Sequence, residues 1–103
     1  MSILAQLFPR YAKNAQVLRE AVNAMGAECE KWNYDELDRA AEEQPLMERA
    51  IEGGTAQFNI DCWEKKPNGD LFICIDADGL PTFMGVKPSY VFAKRIDGTV
   101  YYP

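Results

Sequence analysis

The apolar positions of this chain change period near its middle. Leu4, Phe8, Tyr11, Ala15, Leu18, Val22 and Met25 recur at alternating steps of four and three residues. That spacing forms a continuous a/d seam along one side of a helix. Pro9 lies within the seam, so the pattern predicts a helix that either begins at Pro9 or bends there. Gly26 is the residue expected to end it. Asn33 then offers a cap for a second helix, with Glu36 placed to complete a capping box and Trp32 and Leu37 at the staple positions. Leu37, Ala40 and Ala41 are expected to face inward. Pro45 is expected to break this helix and open a short third one, with Leu46, Met47, Ala50 and Ile51 inside and Gly53-Gly54 as its stop.

After the two glycines the period becomes two. Ala56, Phe58, Ile60 and Cys62 alternate with Gln57, Asn59, Asp61 and Trp63, the pattern of a half-buried strand. Lys66-Pro67-Asn68-Gly69 is a turn, and Leu71 to Ile75 is apolar on both faces, as a central strand is. Further strands are predicted over Pro81 to Val86, Ser89 to Ile96 and Thr99 to Tyr102, the last two joined at Asp97-Gly98. The fold class is therefore α+β, with two or three N-terminal helices on one face of a four- or five-stranded antiparallel meander. The expected single domain spans residues 1–103, as a helical half (1–52) and a sheet half (55–103). In its layers alone this layout is similar to cystatin-like and other helix-plus-meander domains.

Side-chain chemistry chooses the register of the first hairpin. A four-residue loop over 66–69 pairs Cys62 with Ile73, Ile60 with Ile75 and Phe58 with Ala77 on one face. The other face then pairs Trp63 with Phe72, Asp61 with Cys74 and Asn59 with Asp76. Shorter loops set Ile60 against Asp76, or Asp61 against Asp76, and like charges directly opposite destabilise a ladder. This register sends Cys62 and Cys74 to opposite faces, where no disulfide can join them.

Composition narrows the chemistry. The chain has 103 residues, a net charge of −5 and no histidine. The excess of carboxylates lies mostly before Gly53. Acidity of this kind argues against a nucleic-acid partner and against anionic membranes. An odd number of cysteines without zinc or redox spacing, and a start lacking a basic leader, point to a reduced, cytoplasmic protein. No cofactor or metal is expected. Asp76-x-Asp78-Gly79 resembles the start of a calcium loop, but its glycine comes too early and Lys87 stands where the loop's last glutamate belongs. Cys29, between two glutamates, is expected to hold its proton.

The candidate partner or ligand surface is the sheet face turned away from the helices. It combines Asn59, Asp61, Trp63, Phe72, Cys74 and Asp76, with Tyr90, Tyr101 and Tyr102 as further anchors. The functional expectation is a non-enzymatic protein-interaction module, homodimeric or bound to a partner protein, in the manner of inhibitors, immunity proteins or mobile-element accessory proteins. The a/d seam is a possible dimerisation helix. Two alternatives are a small-molecule binder with an apolar pocket between helices and sheet, and a small hydrolase using the diagonal pair Asp61 and Asp76.

Overall fold

The computed structural model describes residues 3–103, with side chains from residue 9 onward. The seam residues Leu4 and Phe8 lie outside the described side chains. The elements run α1 (Ile3–Cys29), α2 (Tyr34–Glu43), β1 (Met47–Ile51), β2 (Gly54–Lys65), β3 (Leu71–Asp78), β4 (Ser89–Lys94) and β5 (Val100–Tyr101). The five strands form one antiparallel sheet in the order β1-β2-β3-β4-β5. Both helices pack on one of its faces, giving the expected two-layer α+β arrangement.

The helix α1 begins before Pro9 and continues through it and through Gly26 to Cys29. Its seam residues Leu18, Val22 and Met25, with Cys29 one turn further, are fully buried against the sheet. Gly26 is not a C-cap but a contact point. The ring of Tyr90, on β4, lies against the helix there, and only a residue without a Cβ fits beneath it. Two tyrosines and a lysine hold the end of α1 to the sheet. The hydroxyls of Tyr90 and Tyr102 donate to the Glu30 carboxylate, the latter at 2.5 Å. The ammonium of Lys94, itself buried, donates to the Glu30 carbonyl at 2.7 Å. That carbonyl is one of the acceptors a helix end leaves open, and a cation there also suits the helix dipole.

The start of α2 is as predicted. The Glu36 amide donates to Asn33 Oδ1 at 2.8 Å, and Asn33 Nδ2 donates to Glu36 Oε1 at 2.7 Å. Gln44 closes α2 in the left-handed conformation, and Pro45 prevents its continuation.

The chain beyond Pro45 differs from expectation. Residues 47–51 form the edge strand β1, not a third helix. Gly53, at φ 87°, makes the tight turn of the β1–β2 hairpin, so the two glycines join strands instead of separating helix from sheet. The apolar positions Met47 and Ile51 fit either period. What decides is the partner: Phe58 and Ala56 on β2 offer an open edge, pairing with Met47 and Arg49. Arg49 then reaches Glu28 on α1 at 3.1 Å. The expected strand over Pro81 to Val86 is absent too. That segment is an exposed loop with one 3-10 turn, Phe83–Gly85, and with Met84 in the left-handed region.

The β2–β3 register matches the predicted one from Phe58↔Ala77 to Cys62↔Ile73. It then shifts by one residue at a β-bulge, so Glu64, not Trp63, pairs with Phe72, and Lys65 pairs with Leu71, not Asp70. The bulge frees Trp63 from the ladder. It also turns Lys65 toward the helix layer, where its ammonium lies 3.0 Å from Asp38 of α2.

Candidate functional site

The alternation of β2 and β3 sends Ala56, Phe58, Ile60, Ile73, Ile75 and Ala77 into the core. The positions between them, Gln57, Asn59, Asp61, Phe72, Cys74 and Asp76, therefore share the face opposite the helices. β4 adds Ser89, Val91 and Ala93 to this face, opposite Asp76, Cys74 and Phe72, and β5 adds Tyr101 opposite Ala93.

The face has two unlike ends. At one end Phe72 and Tyr101 meet edge to face, with ring centroids 6.2 Å apart. The Lys66 ammonium lies 4.9 Å from the Phe72 centroid, and the Arg95 guanidinium lies 4.3 Å from that of Tyr101. Such cation–ring contacts hold long side chains in place over aromatic surface. The Tyr101 hydroxyl donates to buried Asp70 at 2.7 Å, which fixes the ring.

The other end is acidic and rich in amides. Asp61 accepts from Gln44 Nε2 at 2.6 Å and from Asn59 Nδ2 at 2.9 Å, so both its oxygens are engaged. Asp76 is the diagonal neighbour of Asp61, as the register predicted. Partial burial pushes its carboxyl above the usual range, and the charges of Asp61 and Asp78 add to this while Lys87 opposes it. The segment Gln44-Pro45-Leu46 curls over this end. Together with Gln57, Asn59, Asp76, Asp78 and Lys87 it lines a recess of about 350 Å³. Between the two ends lies Cys74, buried although no helix covers it. Burial raises its thiol pKa, and the charges of Asp76 and Asp61 raise it further, so the sulfur is held as the unreactive thiol.

The remaining expectations separate. Trp63 stands exposed on the bulge. Tyr90 is not on this face: its ring lies under α1 and its hydroxyl on Glu30. Tyr102 leaves β5 and also turns toward Glu30. Cys29 is buried, its thiol pushed up to about 12 by that burial and by the charge of Glu28. All three cysteines are free. Asp78 is bridged to Lys87 at 3.4 Å and its Oδ1 accepts from the Gly79 amide, as in an ordinary turn. Among the described residues no cluster of three or more ligating side chains is placed to hold a metal ion. Sequence reasoning missed Gln44, Lys66, Lys87, Val91 and Arg95. The fold of the 44–46 segment brings Gln44, the β3–β4 pairing and its loop bring Val91 and Lys87, the bulged β2–β3 hairpin brings Lys66 and the β4–β5 turn brings Arg95.

No protein-family model, curated protein or solved structure matches the chain. Among the described residues no helix is long and apolar enough to cross a membrane.

Proposed function

We propose that this protein is a non-enzymatic interaction module that docks a partner protein on the uncovered face of its sheet. One observation carries the reading. A sheet face that merely meets water alternates to polar side chains. Here the centre of the face is apolar instead, with Cys74 and Ala93 buried and Phe72, Val91 and Tyr101 half-buried, although both helices lie on the other side. An apolar centre with a polar, charged rim is the anatomy of a protein interface. The partner is expected to present apolar side chains to Phe72 and Val91 and a cation to Asp76 and Asp78. Three free thiols suit a reduced, cytoplasmic setting.

The alternatives fit the geometry less well. A binder of apolar molecules needs a pocket between helices and sheet, but the centre of that space is filled by Leu18, Val22, Phe58, Ile73 and Phe92, and the recess left between α1 and β1 holds about 190 Å³, less than the ~300 Å³ at which ligand pockets begin. The roomier recesses lie at the rim, among amides and carboxylates. For hydrolysis, Asp61 would have to release two hydrogen bonds before acting on a substrate.

The test is affinity capture from native cells with the wild type and with Val91→Lys, a half-buried position where a charge disturbs the face but not the core. A protein held by the wild type, lost from the variant and released by moderate salt supports the proposal. Equal capture by both, at matched thermal stability, removes it.

A further inference from the structure

The loop between β3 and β4 presents apolar side chains to water in a held conformation. Phe83 is 48% exposed, Met84 85% and Val86 64%. The loop is closed by its own hydrogen bonds. Thr82 Oγ1 donates to the Val86 carbonyl at 2.7 Å, and the Gly85 and Val86 amides donate to Thr82 and Phe83. Asn14 of α1 donates to the Pro81 carbonyl at 2.7 Å and ties the loop to the helix. Met84 sits at φ 57° and ψ 21°, a left-handed conformation that costs a non-glycine residue free energy. Beside it runs an almost wholly apolar groove of about 210 Å³, lined by Tyr11, Ala12 and Ala15 of α1 and by Thr82, Phe83 and Val86 of the loop.

We infer that this end of the molecule is a self-association surface, with Met84 of each copy inserted into the α1–loop groove of the other. The knob and the hole lie side by side, and Phe83 and Val86, which flank Met84 in sequence, form one wall of the hole. Knob and hole on one patch are what a two-fold, isologous contact uses, each copy giving the same residues to the other. An unbranched thioether adapts to such a groove.

The exposed area suits a second copy. At roughly 150–200 Å² for a whole side chain of this size, the three loop residues leave about 350 Å² on each copy and about 700 Å² on a pair. The remaining groove walls, Tyr11, Ala12 and Ala15, bring the total at most near the ~1,000 Å² at which specific interfaces begin, so the contact is small and the dimer weak. The charges do not call for another occupant. Lys13 is paired with Glu52 at 2.9 Å and Lys87 with Asp78. Among the described residues Arg10 is the one other basic residue next in sequence to the α1 wall of the groove, whereas an anionic lipid surface is recognised by clusters of basic side chains. The surface is distinct from the sheet face, so either reading can fail without the other.

Sedimentation velocity over about 5–200 μM tests the inference. The wild type should associate, and two variants should weaken association at least tenfold. Met84→Gly removes the knob at a backbone angle glycine prefers, so its thermal stability should be equal or higher. Ala12→Glu places a charge in the groove at an exposed helical position. In a second arm, Ala12→Cys and Met84→Cys proteins are treated with a short bismaleimide. The mixture should form cross-linked dimers well above either protein alone and above the wild type. A wild type that stays monomeric at 200 μM overturns the inference. So does a dimer broken by Val91→Lys but not by Met84→Gly, or loss of phosphatidylserine-vesicle binding in Met84→Gly when the wild type is monomeric.

Discussion

Replacing Gly26 by alanine sets two physical effects against each other. In an exposed helix interior the change stabilises by about 1 kcal/mol, because glycine loses more backbone entropy on folding. In α1 the new methyl group would overlap the Tyr90 ring, with Cε1 at 2.6 Å and Cγ and Cδ1 closer still. The ring cannot swing aside cheaply. Its hydroxyl is held by Glu30 and its edge packs on Phe92, with centroids 6.1 Å apart. Overpacking of this kind costs about 1–3 kcal/mol, so after the gain in helix propensity the net effect is a loss of up to about 2 kcal/mol. Urea unfolding followed by far-ultraviolet circular dichroism should show it. With a slope near 1–1.5 kcal/mol per molar, the midpoint should fall by about 1 M. The decisive comparison is the same substitution in a Tyr90→Ala background. There the obstruction is gone, and Gly26→Ala should raise the midpoint, reversing its sign. If Gly26→Ala stabilises the wild type, or if the sign is the same in both backgrounds, the claimed contact between helix and ring is wrong.

Lys94→Met keeps the side-chain volume but leaves the Glu30 carbonyl without its charged donor; a loss of about 2 kcal/mol is expected, seen as a fall of roughly 10 °C in calorimetric Tm. The hydrogen bond to Glu30, followed by burial, raises the Tyr90 phenol above its usual value of 10.0. The unfolded chain therefore ionises first, and this stabilisation is whole below pH 10 and is lost as pH rises above it. Urea midpoints of the wild type and Tyr90→Phe should accordingly keep a constant gap up to about pH 10 and draw together above it, and a gap that stays constant to about pH 11.5 would count against the Glu30 contact. For Asp76 burial raises the carboxyl above 3.8, so the folded state holds the proton more tightly than the unfolded chain. Its charged form thus costs stability at neutral pH, and this cost disappears as pH falls through the raised pKa toward 3.8. Asp76→Asn should be the more stable protein at pH 7, with the advantage closing near pH 3.5; a variant weaker than the wild type at pH 7 contradicts the desolvation.

Strong local chemistry was legible in the linear pattern. The capping box of Asn33 and Glu36 needs only four adjacent residues, and it formed as read. The β2–β3 register followed from charge and size because a slip by one residue turns Ile60 and Phe58 out of the core. The bulge was not legible. Nothing within the hairpin marks it, and its consequence, the Lys65–Asp38 bridge, is made outside the hairpin with α2. The candidate face was readable as far as Asn59, Asp61, Phe72, Cys74 and Asp76, which the register alone brings together. Tyr90 was misplaced because its strand was assigned without knowing which way it entered the sheet. Paired with Ile75, it faces the helix layer.

By itself, then, the order of residues determined the α+β class, the a/d helix, the cap of the second helix and the hairpin register, since each depends on neighbours within a turn or across one tight loop. Only the tertiary structure decided the rest. Residues 47–51 carry two apolar ends that serve helix or strand equally, and the free edge of β2 chose strand. Gly26 became a contact point because Tyr90, 64 positions away, came to rest on it. Local preferences amount to a few tenths of a kcal/mol per residue, and one long-range packing contact outweighs several of them.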